Sequence, residues 1–181
     1  MDLAAVILAG GTAARLDGAD KASLEHAGAT FLEHALAATG AAAEVVVVGD
    51  PVPTSRPVTF VREDPPLGGP VAGLVTGRGA LARTPDAVVV LAVDMPFVTA
   101  LTVRRLIEAD GPDGAALVGP DGRRRLVLLL RTAALDAASP DDPHGASVGA
   151  LLAGLDLADV TAEADEARGV DTWRDLRDLP R

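Results

Sequence analysis

The chain contains no cysteine, which excludes a disulfide framework, a thiolate zinc site and a thiol nucleophile, and suits a reducing compartment. Asparagine, glutamine and tyrosine are also absent, and a single lysine, Lys21, stands beside fifteen arginines. Composition is biased toward Ala, Gly, Arg, Asp and Val, so a missing asparagine at any one position carries little weight. No apolar run approaches the ~20 residues needed to cross a bilayer. The opening Met1-Asp2-Leu3 lacks the basic start and small-residue cleavage site of an export signal, so the expectation is a cytoplasmic protein. Positive charge is scarce. Sixteen Lys plus Arg against twenty-six Asp plus Glu give a net charge of -10, which argues against a broad surface for nucleic acid or for an anionic membrane. An anionic ligand must find a local basic site.

What is present points to one folded domain over residues 1–181. Apolar residues make up 49% and charged residues 23%, enough burial to offset chain entropy in a chain of this length. Short apolar runs bounded by turn residues predict strands at Ala4–Ala9, Val45–Val48, Val58–Val61, Ala87–Val93, Ala115–Val118 and Leu126–Leu130. Helical spacing predicts helices over Thr30–Thr39, Pro70–Leu81, Thr99–Ala109, Ser147–Leu155 and Thr172–Leu179. Continuously apolar strands alternating with helices predict a three-layer α/β domain with a largely parallel sheet, whose ligands bind outside the carboxyl ends of the strands.

Three segments at such ends could carry chemistry. Gly10 and Gly11, directly after the first strand, let backbone N–H groups approach an anion closely, and Arg15 and Lys21 can neutralise a polyphosphate. This is neither a Walker A loop nor a G-x-G-x-x-G fingerprint; for the glycines alone an ordinary strand-to-helix loop is the simpler reading. Asp94-Met95-Pro96-Phe97 follows Ala87–Val93 and offers a carboxylate suited to Mg²⁺, against the equal alternative of a turn aspartate capping backbone amides. Gly68-Gly69-Pro70 precedes a helix, with Asp64 upstream able to accept from a sugar hydroxyl or a base; alone it reads as a helix start.

Other features read as structural. Arg123-Arg124-Arg125 is a solvated turn tip more readily than an acceptor-phosphate grip. Pro143-His144-Gly145-Ala146-Ser147 has no acidic partner or nucleophile elbow, so it is not a hydrolase triad. His26 and His34 lack metal-ligand company and take solvated or packed roles, and Trp173 is expected to anchor the last helix.

Taken in order, Leu8-Ala9-Gly10-Gly11, Arg15, Asp20-Lys21, Gly69-Pro70-Val71-Ala72-Gly73 and Asp94-Met95-Pro96-Phe97 resemble the molybdenum cofactor guanylyltransferases, within the Rossmann-like nucleotidyltransferases. Val170-Asp171-Thr172-Trp173-Arg174-Asp175-Leu176 resembles that family's closing Asn-Thr-Pro-Glu-Asp-Leu motif. The resemblance implies nucleotide binding by Leu8, Ala9, Gly10, Gly11, Lys21, Asp64, Gly69, Gly73 and Asp94. It implies catalytic roles for Arg15, Lys21 and Asp94, and Mg²⁺ held by Asp94 and Asp171. It further implies GTP as donor, molybdopterin or molybdenum cofactor as acceptor, and cofactor-delivering or acceptor proteins as partners. Three departures stand out: Asp17 where glycine is usual, Gly169 in place of the first asparagine of the closing motif, and Arg125-Leu126 where the acceptor-side segment usually carries a proline. Two alternatives stay open: a cytidylyltransferase acting on molybdopterin or a sugar phosphate, and a non-catalytic nucleotide-binding module.

Overall fold

The computed structural model describes residues 1–10, 20–109 and 111–180. Seven strands join in one sheet of order β5-β4-β1-β6-β8-β7-β9: β1 Leu3–Leu8, β4 Glu44–Val48, β5 Thr59–Val61, β6 Ala87–Ala92, β7 Gly114–Val118, β8 Arg124–Arg131 and β9 Leu157–Thr161. Only β8 runs against its neighbours; the pairs β1/β4, β1/β6, β4/β5 and β7/β9 are parallel. A two-residue ribbon, β2 Glu25–His26 with β3 Ala29–Thr30, stands apart from this sheet.

Strand residues alternate between two buried faces, which is why the runs read as continuously apolar. Ala5, Ile7, Val45, Val47, Val89, Leu91, Val127 and Leu129 face one layer, with α1 (Phe31–Ala38) and α3 (Ala100–Ala109) packed on it. Ala4, Val6, Val46, Val88, Val90, Leu128 and Leu130 face the other, against α2 (Pro70–Gly79), α4 (Thr132–Ala138) and α5 (Val148–Ala153). Each fully buried Val or Leu contributes about 1.5–3 kcal/mol relative to exposure, so the sheet carries most of the hydrophobic stabilisation. Helix α2 comes unusually close to it. A Cβ on Gly77 would lie 2.5 Å from Val6 Cγ1, so only glycine allows that approach.

The helices begin where side chains satisfy their free N–H groups. Thr30 accepts from the Glu33 N–H to start α1, and Ser147 accepts from the Ala150 N–H to start α5. In α6 (Trp173–Arg177) Thr172 and Asp175 cap each other reciprocally. Leu176 and Leu179 dock this helix on the core, whereas Trp173 is 37% exposed, so the expected aromatic anchor is replaced by two leucines. The chain also forms α4, β9 and the β2–β3 ribbon, none of which the apolar pattern predicts, and β8 extends to Arg124, past the expected start at Leu126. Among the described residues no helix is long and apolar enough to cross a membrane.

Running β1, β4 and β5 outward on one side and returning to β6 on the other makes the carboxyl ends of β1 and β6 a switch point in strand order, where open α/β sheets place their ligands. Register pairs Leu8 with both Val48 and Ala92, so the three central strands end level.

Candidate functional site

Three distant segments meet at this switch point. The first is a short 3-10 turn, Lys21–Ser23, built by its preceding residue: the Asp20 carboxylate accepts from the Ala22 N–H at 3.0 Å and from Ser23 Oγ at 2.7 Å. Ala22 is buried and fastens the turn to the core. The Asp20-Lys21 pair is thereby explained locally: the aspartate shapes the turn that presents the lysine.

The second segment is the end of β6. Val93 donates its N–H to Leu8 O at 3.0 Å, and Val93 and Met95 are both buried, so Asp94 is bracketed by two anchors. The third is the approach to α6. Val170, fully buried, donates its N–H to Asp94 O at 2.9 Å and sets Asp171 beside Asp94. From the other side, Asp175 Oδ2 accepts from the N–H groups of Asp171 at 3.1 Å and Thr172 at 2.8 Å.

Lys21 Nζ donates to Asp94 Oδ2 and to Asp171 Oδ1, both at 2.7 Å. Side-chain exposures of 18%, 24% and 63% for Lys21, Asp94 and Asp171 make the Lys21–Asp94 pair the shielded one and leave Asp171 on the solvent side. Burial works to lower the pKa of the Lys21 ammonium, but the bonds and charges of Asp171 and Asp94 outweigh it and hold the group above the ordinary lysine value. The lysine is a permanent cation at neutral pH. It could not serve as a general base.

Asp94 and Asp171 supply hard oxygen donors side by side, the type that Mg²⁺ takes in ones and twos while phosphates and water complete its shell. Among the described residues no group of three or more His, Cys, Asp or Glu side chains gathers as a metal cage. The donor set therefore fits a divalent cation shared with a phosphate ligand better than a resident structural metal.

The remaining expected site residues lie on the β1 and α2 side. Leu8 and Ala9 are half-buried at the end of β1 and Gly10 is exposed beyond them. Gly69 opens α2 with φ of 89°, a conformation that favours glycine, and Pro70 follows at the first turn, so the helix start presents bare N–H groups. Gly73 is buried against β1: a Cβ there would lie 2.8 Å from Glu63 Oε1 and 3.3 Å from Leu8 Cδ2. Asp64 is exposed and lines a cleft of about 220 Å³ with Glu63, Thr76, Asp142 and His144. Gly11, Arg15 and Asp17 lie outside the described residues.

Several residues outside the expected set proved structurally informative. Glu63 accepts from the Gly68 N–H at 2.7 Å and fixes the loop before α2, a role that sequence gives no sign of. Asp175 shapes the Asp171 turn, and the Thr172-x-x-Asp175 capping pattern was the readable signal for it. Arg124 and Arg125 are not a solvated tip. Arg124 pairs with Asp159 at 2.8 Å and Arg125 with Asp121 at 3.0 Å, because β8 begins where the neighbouring strands end and brings both into a ring of acceptors. His144 lies over Gly68, whose carbonyl accepts from the Gly145 N–H at 2.7 Å, and Ser147 is engaged as a helix cap. His26 packs edge-on against Phe97 with ring centroids 5.4 Å apart.

Comparison with known proteins follows the same lines. Curated relatives named molybdenum cofactor guanylyltransferase come from Acidiphilium cryptum, 35% identical over 96% of this chain and 92% of that protein, and from Mesorhizobium japonicum, 38% identical over 71% of this chain and 66% of that protein. In fold, the chain is similar to Rv0371c of Mycobacterium tuberculosis H37Rv, with a TM-score of 0.77 at 19% identity over 97% of this chain and 96% of that one. Rv0371c has also been solved as a complex with manganese. Residues 5–164 match the family model described as the MobA-like NTP transferase domain. That match runs from within β1 to just past β9, and with the Acidiphilium relative extending the similarity over nearly the whole chain, this protein belongs to the MobA-like NTP transferase family.

Proposed function

We propose that this protein, acting as a single nucleotidyltransferase domain over residues 1–181, transfers GMP from GTP to the terminal phosphate of molybdopterin, releasing pyrophosphate and forming the guanine dinucleotide cofactor. The observation that carries this reading is the convergence of Lys21, Asp94 and Asp171 at the switch point of a sheet whose family relatives bear that name.

In this reading the acceptor phosphate oxygen attacks the α-phosphorus of GTP in line, and the bond to the β-phosphate bridging oxygen breaks as pyrophosphate leaves. The acceptor is already ionised at pH 7, so no residue need remove a proton from it. Lys21, held cationic, and Arg15 neutralise the charge that develops on the leaving pyrophosphate. Leu8, Ala9, Gly10 and Gly11 bring backbone groups to the nucleotide, with Gly69, Gly73 and Asp64 on the α2 side of it. Asp94 and Asp171 would hold Mg²⁺, which when bound would neutralise the α-phosphate and assist its alignment. The half-buried setting of Lys21 and Asp94 strengthens their interaction with phosphate relative to bulk water. Catalysis is then positioning and charge neutralisation, which agrees with a chain that contains no cysteine.

The test is direct. Purified protein mixed with Mg²⁺, GTP and molybdopterin should yield a product with the mass of the guanine dinucleotide, together with one equivalent of pyrophosphate. Pyrophosphate release from CTP and not from GTP would assign a cytidylyltransferase instead. Nucleotide binding without release, across acceptors that include sugar phosphates, would assign a binding module.

A further inference from the structure

Residues 162–171 form a strap across the carboxyl edge of the sheet. It is tied in turn to β7, to β8 and to the turn after β6: the Ala162 N–H donates to Val118 O at 2.8 Å, Arg125 Nε donates to Ala167 O at 3.2 Å, and the Val170 N–H donates to Asp94 O at 2.9 Å. The strap ends on Asp171, and so delivers the more exposed of the two carboxylates to Lys21.

Midway along it, Glu166 turns inward. It is only 9% exposed, among the few buried polar residues of the described chain. Its Oε1 accepts from Thr102 Oγ1 of α3 at 2.5 Å, and its Oε2 accepts from the Glu163 N–H at 2.8 Å and from Arg105 Nη2. Arg105 pairs also with Glu163 at 2.9 Å and donates to Thr161 O at 3.2 Å. A carboxylate taken out of water costs more than an apolar side chain of similar size unless it is paired and hydrogen-bonded, and this one is bonded through both oxygens. What such a group adds over an apolar plug is direction: its partners fix one register of the strap on α3, five residues before Asp171.

We propose that Glu166 is a positioning residue of the transfer site, whose clamp on Thr102 and Arg105 sets where the strap holds Asp171 against Lys21. Its consequence for turnover rests on the transferase reading; its consequence for Lys21 does not.

Because Lys21 is the only lysine, protein labelled with ¹³Cε-lysine gives one ε signal, a direct report on the ammonium's surroundings. Glu166→Gln, shown folded by circular dichroism, should move that signal in the same direction as Asp171→Asn does. It should lower kcat for GMP transfer by about tenfold with KM for GTP changed less than about twofold, and in an Asp171→Asn background it should lower kcat by less than about twofold. If Glu166→Gln does not fold, Thr102→Val, which removes one donor without changing shape, is read in the same way. An unmoved Lys21 signal in a folded variant, or an equal fall in kcat in both backgrounds, overturns the proposal. Absence of GMP transfer by the unaltered protein would sink the transferase reading alone, and the lysine signal would still decide whether Glu166 places Asp171.

Discussion

Asp94 and Asp171 bond the same ammonium at the same distance, yet they are held there by different shares of packing and polar bonding. Asp94 lies just past the end of β6, a strand buried on both faces, with Val93 and Met95 fastening it on either side; its position follows from hydrophobic packing. Asp171 ends an irregular strap in which a single core residue, Val170, is joined by hydrogen bonds and ion pairs, the Asp175 cap on one side and the Glu166 clamp on the other. Packing on a sheet is cooperative with the whole fold, so Asp94 moves only if the core does. Polar clamps act locally, so beyond its Val170 anchor Asp171 depends on bonds that can be removed one at a time. The site thus joins a fixed carboxylate to an adjustable one, with Lys21 between them.

The largest break in this comparison is removal of its shared or fixed members. Lys21→Ala or Asp94→Ala should cost on the order of a hundred- to a thousandfold in turnover, the scale seen when one preorganised charge-stabilising group is removed. Asp171→Asn should cost at least tenfold less than Asp94→Ala in the same steady-state assay, because the exposed partner is screened by water. Equal losses for the two aspartates would erase the distinction between them.

Asp94 is held by the packing of β6. Leu91→Ala on β6, a fully buried position, should lower unfolding free energy by about 2–5 kcal/mol in urea titration. A loss below about 1 kcal/mol would mean that β6 is not held by packing and that Asp94 has some other anchor.

The smallest effect sharpens the other side. The Thr172 hydroxyl, together with the N–H groups of Asp171 and Thr172, holds the Asp175 carboxyl below its ordinary pKa of 3.8. A depressed carboxylate contributes stability that is present above its unfolded-state pKa and is lost as pH falls through its folded value. Thermal melts of the unaltered protein and of Asp175→Asn should therefore differ at pH 6 and converge as pH drops below about 3.8. A gap that stays constant with pH would show that the charge on Asp175 contributes nothing to the cap.

The same contrast explains what could be read from the residues. Ala87–Val93 announces itself because a strand buried on both faces is an unbroken apolar run, and Asp94 is simply where that run stops. Thr30, Ser147 and the glycine–proline pair at 69–70 mark helix starts through their own chemistry. Strand β9 escapes the pattern because Asp159 and Thr161 interrupt it at the sheet's edge, where one partner suffices. Helix α4 begins after Arg131 with no side-chain cap to signal it, and the β2–β3 ribbon turns at Ala27 with φ of 50°, where sequence offers alanine in a left-handed turn. Joining Lys21 to residues 73 and 150 positions away is a tertiary event. Spacing could not supply it, and the family's motif order did.

If the Lys21–Asp94 pair is one half of a site completed by a divalent cation and GTP, binding of the two ligands is coupled through Asp94. Calorimetric titration of GTP into the unaltered protein and into Asp94→Ala, each with and without Mg²⁺, tests it most directly. Mg²⁺ should tighten GTP binding to the unaltered protein and make no difference to the variant. Equal tightening by Mg²⁺ in both proteins would contradict it.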